Sequence, residues 1–297
     1  MNGVINVLKA PGMTSSNVVY DVRRLFGIKK VGHSGTLDPG AAGVLPILLG
    51  KATRLFDYII DKEKEYIAEI AFGAATDTLD SYGIVLETSD KIISKADFLS
   101  VSGDFQGNIE QIAPMYSAIM HNGQKLYKLA RAGEIVERKT RFVSVYSIEL
   151  LDMPRENRFL VRINCSKGTY IRTLADDIGR AIGCPAHISF LLRTKSGMFS
   201  VDGAYSIAEL SVYKDEGLDL KKLVIPMDTA LMYLPEIRRE VDDLNFKRLI
   251  LNGASVEYKK ATEKTLYRVY CGEFLGLGKV EGGKLSLTVN LCEGEGL

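Results

Sequence analysis

Apolar positions along the chain fall into short strand-like and helix-like runs, with glycine or proline at most of the breaks. Residues 4–8 read as a strand ended by Pro11-Gly12. Ser15 or Ser16 can cap the next helix, in which Val18, Val19, Val22, Leu25 and Phe26 share a face and Gly27 marks the end. Val44 to Leu49 is a continuous apolar run, long enough for a buried strand and far too short to cross a membrane. Residues 51–60 read as a helix. Strict alternation over 65–72 turns Tyr66, Ala68, Ile70 and Phe72 inward on one face. Ser94 caps a short helix at 96–101, and strands are expected at 107–112 and 115–120 around Pro114. Asn122-Gly123 signals a turn, and 125–132 a helix closed by Gly133.

Strands at 142–151 and 159–165 then lead to a helix over 170–183. Its Ile171, Leu174, Ala175, Ile178 and Ile182 form one apolar face, with Thr169 the expected N-cap. Free N–H groups at that helix start, beside Lys167 and Arg172, make a small anion site. Residues 188–194 and 198–201 read as strands that leave Arg193 and Lys195 exposed between them, and 214–220 as a loop. Beyond 240 a helix at 242–251 and three glycine-separated strands form a small β-rich unit. Pro226 and Pro235 punctuate the connection, so the expected division is 1–235 and 236–297.

Composition changes this picture at one point. A net charge of +1 over 297 residues argues against a polyanionic partner, but residues 121–195 hold 14 Lys and Arg against 7 Asp and Glu, while the remainder holds 24 against 30. One basic face on an otherwise acidic protein fits nucleic acid. Lys125, Lys128 and Arg131 lie on one side of their helix. The cysteines at 165, 184, 271 and 292 show no C-x-x-C pair, and the three histidines are far apart. A reduced, cytoplasmic protein without a metal centre is expected. The first twelve residues lack the pattern of a signal peptide.

The candidate chemistry lies in 30–54, KVGHSGTLDPGAAGVLPILLGKATR. Glycines at 32, 35, 40 and 43 permit close backbone approach, and Pro39 pushes Asp38 towards extended geometry. This puts an acid at the end of a rigid element. Asp-Pro is also a common turn former, and a histidine between glycines, as at 33, often does no more than bond its neighbours. For Arg172 the plainer reading is a surface pair with Asp176, worth roughly 0.3–0.5 kcal/mol. Asp77 and Asp80, in an acid-rich turn, suit hydroxyls or loop structure better than phosphates.

The order of motifs narrows these readings. VGHSGTLDP, then EY opening a strand, then CSKGTYIRTLADDIG and LLRT-x-x-G-x-F resembles the bacterial tRNA pseudouridine-55 synthases, the TruB family. The likeness extends over most of 4–201, and GHSGTLDP with SKGTYIR, in this order, is its most specific part. Two positions depart from the family's loop: Gly40 stands where a bulky residue is common, and Ala42 where a hydroxyl is frequent.

The resemblance implies an α+β pseudouridine synthase fold, with a central mixed, mainly antiparallel sheet flanked by helices and loops and a small C-terminal PUA-like β-barrel. It implies a tRNA T-arm substrate, no cofactor, no metal, no membrane, no obligate protein partner and a monomer. Asp38 is then the catalytic carboxylate, by ribose adduct, base adduct or glycal, with Arg172 beside it to keep it ionised. Tyr66 covers the base and is a candidate for removing the C5 proton. His33 fills the space left by the flipped base. Leu191 or Leu192 supplies an apolar wall, Tyr170 a further contact, and Asp77 and Asp80 are substrate-side residues. Lys125, Lys128, Lys167 and Arg193 are expected on phosphates.

Overall fold

The computed structural model describes residues 1–60, 62–260 and 262–292. Position 261 and the last five residues of the expected C-terminal unit lie outside the described residues. Ten strands make the main sheet. Along its path run Tyr205–Ser206, Gly3–Lys9, Ala42–Leu49, Ala186–Ser196, Lys64–Phe72, Arg158–Cys165, Thr140–Arg155 and Gly107–Ile112, with Phe199–Ser200 and Val31–His33 paired off it. Only two junctions are parallel, between 3–9 and 205–206 and between 42–49 and 186–196. The sheet is therefore mixed and mainly antiparallel, as expected.

The apolar run at 44–49 is explained by burial on both faces. Leu45, Ile47 and Leu49 face the core beneath the helices Ser15–Phe26 and Ile171–Ile182, while Val44 and Leu48 face Leu277 and Leu291 of the C-terminal unit. Strand 64–72 turns Tyr66, Ala68, Ile70 and Phe72 inward as its alternation requires. The C-terminal sheet orders Glu236–Arg239, Leu266–Cys271, Glu273–Glu281, Lys284–Asn290 and Val256–Glu257. It is a five-stranded, PUA-like unit.

Several local expectations change. Thr14 rather than a serine caps the first helix, and reciprocal bonds with Asn17 complete a capping box. Residues 50–60 divide into a 3₁₀ turn, Gly50–Leu55, and a short α-helix, Phe56–Ile60. Residues 115–118 are bends, and only Met120 enters a strand, the two-residue Met120–His121, because carbonyls in the bend turn to partners off the sheet. Helix Ile207–Asp215 covers the start of the expected loop at 214–220; Ser206 and Glu209, at capping-box spacing, were the signal for it. Among the described residues no helix is long and apolar enough to cross a membrane.

Candidate active site

Asp38 lies on the loop between strands 31–33 and 42–49, and that loop is anchored from below. Ser15 Oγ accepts from Leu37 N at 3.0 Å and donates to Leu37 O at 3.1 Å. Lys9, fully buried, donates its ammonium to Ala10 O at 2.9 Å, Met13 O at 2.7 Å and Pro39 O at 3.1 Å. Burial pulls its pKa down to about 8, against the opposing pull of Asp38. Gly12 N donates to Pro39 O at 2.8 Å, and Ala41 N closes the turn on Asp38 O at 3.1 Å. The Asp38 side chain, 35% exposed, is thus held at the tip of a turn with no slack.

Arg172, from the first turn of helix 171–182, meets it from the other side. Its Nε donates to Asp38 Oδ2 at 2.8 Å, Nη1 to Thr78 O at 2.7 Å and Nη2 to Tyr116 O at 2.9 Å. Asp80 Oδ2 stands 3.8 Å from Nη1. One rigid guanidinium, 4% exposed, therefore joins three loops and fixes one face of the acid. The surface-pair reading of Arg172 fails, since Asp176 accepts from Arg180 Nε at 2.9 Å instead.

Asp77 and Asp80 shape the neighbouring loop. Asp77 accepts from Ile84 N at 2.8 Å and from the Tyr116 hydroxyl at 3.2 Å, and Asp80 Oδ1 accepts from Thr78 Oγ1 at 2.6 Å and Tyr82 N at 3.0 Å. Tyr66 is buried at the centre of strand 64–72. Burial raises its phenol pKa, and the Arg193 guanidinium pulls the other way. Leu191 packs at the edge of the main core. Burial lowers the pKa of His33, helped by the charges of Arg193 and Lys125, so the ring is neutral near pH 7. Lys125 and Lys128 are exposed on the hairpin and helix spanning 120–131, and Lys167 is exposed after strand 158–165.

Two expectations need correction. Arg193 is not exposed and cannot meet a phosphate from where it lies: it is 2% exposed, donating to Val44 O at 2.8 Å and Gly35 O at 3.3 Å. Its strand is interior, with neighbours on both edges, and the side chain turns into the fold. The helix start expected at Thr169 is also shifted. Tyr170 rather than Thr169 is the N-cap, its N–H donates to Gln111 Oε1 at 3.0 Å, and its ring lies 4.8 Å below the Arg141 guanidinium. Sequence reasoning passed over Lys9, Ser15, Tyr82 and Tyr116. Only Lys9 left a trace, as a cation ending an apolar strand.

The model of the TruB family pseudouridylate synthase N-terminal domain matches residues 23–171, and that of the tRNA pseudouridylate synthase B C-terminal domain matches 172–232. The chain is 46% identical to tRNA pseudouridine synthase B of Pelotomaculum thermopropionicum over 243 residues, 80% of this chain and 76% of that one. With tRNA pseudouridine synthase B of Caldanaerobacter subterraneus subsp. tengcongensis it shares 41% over 288 residues, 96% and 97% of the two chains. The chain belongs to the TruB family of pseudouridine synthases.

Solved structures agree. A chain of an H/ACA RNP bound to a substrate RNA containing 2′-deoxyuridine superposes with a TM-score of 0.73 at 25% identity, covering 98% of this chain and 85% of that one. A chain of a Cbf5-Nop10-Gar1 complex gives 0.71 at 28%, covering 97% and 79%. Against the TruB motif, the departure at Gly40 has a local explanation. A Cβ there would stand 2.1 Å from the Tyr82 ring, so the tyrosine occupies the space a bulkier loop residue would take.

Proposed function

We propose that this chain isomerises uridine 55 in the T-arm loop of tRNA to pseudouridine, with Asp38 as the essential catalytic group. The reading is carried by the Asp38–Arg172 clamp, which holds a partly exposed carboxylate aimed, in a fold that also turns the aromatic Tyr66 inward. The target base leaves its stack before it is cut, because the glycosidic bond is out of reach inside a folded loop. His33 takes the vacated place. Asp38 acts at the ribose or the base, uracil is detached from C1′, turned and rejoined through C5, and Tyr66 covers the ring and takes the C5 proton. Leu191 and Tyr170 line the pocket. Asp80 braces Arg172, and Asp77 braces the loop that carries it.

Residues 1–235 form the catalytic domain in this reading, and 236–297 a PUA-like RNA-binding domain. Lys125, Lys128 and Lys167 neutralise phosphates, positioning the RNA without reading its bases. The enzyme works in the cytoplasm as a monomer, without cofactor, metal or obligate protein partner. Similarity to a chain of an H/ACA RNP and to one of a Cbf5-Nop10-Gar1 complex leaves a second reading, assembly with other proteins, but identities of 41–46% to chains named tRNA pseudouridine synthase B favour the first.

The test is to incubate the purified chain with a T-arm stem-loop, with and without chelator, and to map pseudouridine. Product at position 55 in both arms is expected. Asp38→Asn should reduce turnover at least about 10⁴-fold while RNA still binds, because it removes the charge and keeps the shape. Turnover surviving that change would end the proposal.

A further inference from the structure

Arg193 is the largest of the fully buried side chains. Among the described residues it has no carboxylate partner; it donates to the carbonyls of Val44 and Gly35 and lies within hydrogen-bonding reach of the Tyr66 phenol. A buried cation balanced by dipoles alone is a burden on the fold, and such groups gather where a reaction uses them. Its place in the sheet is specific. In strand 186–196 it lies directly opposite Tyr66 on one side and Gly43 on the other. Opposed residues of an antiparallel pair turn to the same face, so the guanidinium and the phenol share one wall. Gly35 and Val44 flank Asp38 in sequence, so the same group also holds both ends of the loop that carries the acid.

We propose that Arg193 is a positioning residue for Tyr66, fixing the phenol beneath the uracil and stabilising its phenolate while that oxygen takes the C5 proton. The inference rests on the synthase reading given above. Once C5 has bonded to C1′, it carries ribose and hydrogen together. The phenolate takes the proton, the C–H electron pair restores the C5–C6 double bond, and the N1–C6 π pair moves onto N1. N1 then takes a proton from the phenol or from water, so the product has the atoms and charge of the starting uridine.

The charged and titratable groups facing the phenol are Arg193 from strand 186–196, Cys165 from strand 158–165 and Asp38 from the loop. Burial, Cys165 and Asp38 all disfavour the phenolate, and Arg193 opposes them. Without Arg193 nothing in that set favours the ionised form.

The test uses the full chain and a T-arm stem-loop under single-turnover conditions across alkaline pH. Arg193→Gln should slow pseudouridine formation about 100-fold, with RNA affinity changed less than about threefold, in the range of a lost proton-transfer contribution. The rising limb of its pH profile should move to higher pH, and Arg193→Lys, which keeps the charge, should recover about tenfold. In a Tyr66→Phe background, Arg193→Gln should cost less than about threefold more, because the two act through one oxygen.

Equal losses in the two backgrounds, or a pH limb that stays in place, would overturn the inference by reducing Arg193 to a packing role. If Arg193→Gln does not fold, Arg193→Lys in the two backgrounds decides by the same comparison. A wild-type chain that makes no pseudouridine takes the functional reading and this inference down together. Normal wild-type turnover with an equally active Arg193→Gln removes this inference alone.

Discussion

Two glycines that follow Asp38, three positions apart, obey different constraints. Gly43 has φ +119°, and a Cβ there would lie 2.3 Å from Arg193 O and 2.6 Å from Arg193 N, both backbone atoms of the neighbouring strand. Gly40 has only the Tyr82 ring to displace, the movable end of a side chain that is 74% exposed. Gly43→Ala is therefore expected to destabilise the chain by about 2–4 kcal/mol, and Gly40→Ala by less than about 1 kcal/mol, read from denaturant midpoints. Comparable losses at both sites would mean that the ring over Gly40 cannot give way. Asp38, Tyr66 and Arg172 stood out as individual residues in the sequence because each stands in a motif. Arg193 stands in one too, yet its role was misread, since a cation in a strand looks the same from sequence whether it points out or in.

At the scale of the element, strand 3–9 and the start of helix 15–26 act as a seat for the Asp38 turn. Lys9→Met removes the donor that three carbonyls share, and is expected to cost about 2–4 kcal/mol and to slow turnover as the Asp38 turn loosens. The pH dependence has a definite sign. The folded-state pKa of Lys9 is about 8 and its ordinary value 10.5, so between those two the unfolded chain holds a proton that the folded chain has released. Lys9 then favours folding more strongly as pH rises through that window, and least below it. Urea titrations at pH 7.5 and 9.5 should show the advantage of wild type over Lys9→Met widening; a narrowing gap would contradict the burial of its charge. The helical and strand periods were readable here, but the seat was not, because it is made of contacts between segments about thirty residues apart.

Across the whole molecule, the main sheet and the C-terminal unit share a core. Val44, Leu48 and Leu55 pack with Leu231, Leu277 and Leu291, Arg54 donates to Asn290 O at 2.9 Å, and the Tyr270 hydroxyl donates to Asp228 Oδ2 at 3.1 Å. Thermal unfolding is expected as a single transition, and Leu277→Ala should lower it by the equivalent of about 2–4 kcal/mol, because the cavity opens on both units. Two separated transitions in calorimetry would show that the units unfold independently. The exposed basic segment makes a prediction at the same scale. Lys125→Ala and Lys128→Ala should each weaken RNA binding regardless of stem sequence and reduce the slope of log K against log salt by about 0.7–1. A slope left unchanged in both variants would take those lysines off the phosphates.

The sequence alone determined most of the strand and helix periods and the motif order that marks the family, because each is written in neighbouring residues or their spacing. The unbroken apolar run at 44–49 even signalled that strand's burial on two faces, though not what covers the second. Tertiary structure alone decided that Arg193 turns inward and that Lys9 supports the turn, and it chose between the two partners the sequence left open for Arg172, Asp38 by motif and Asp176 by spacing. A charged side chain can reach several partners from one backbone position, and which it meets depends on segments brought together only when the sheet closes.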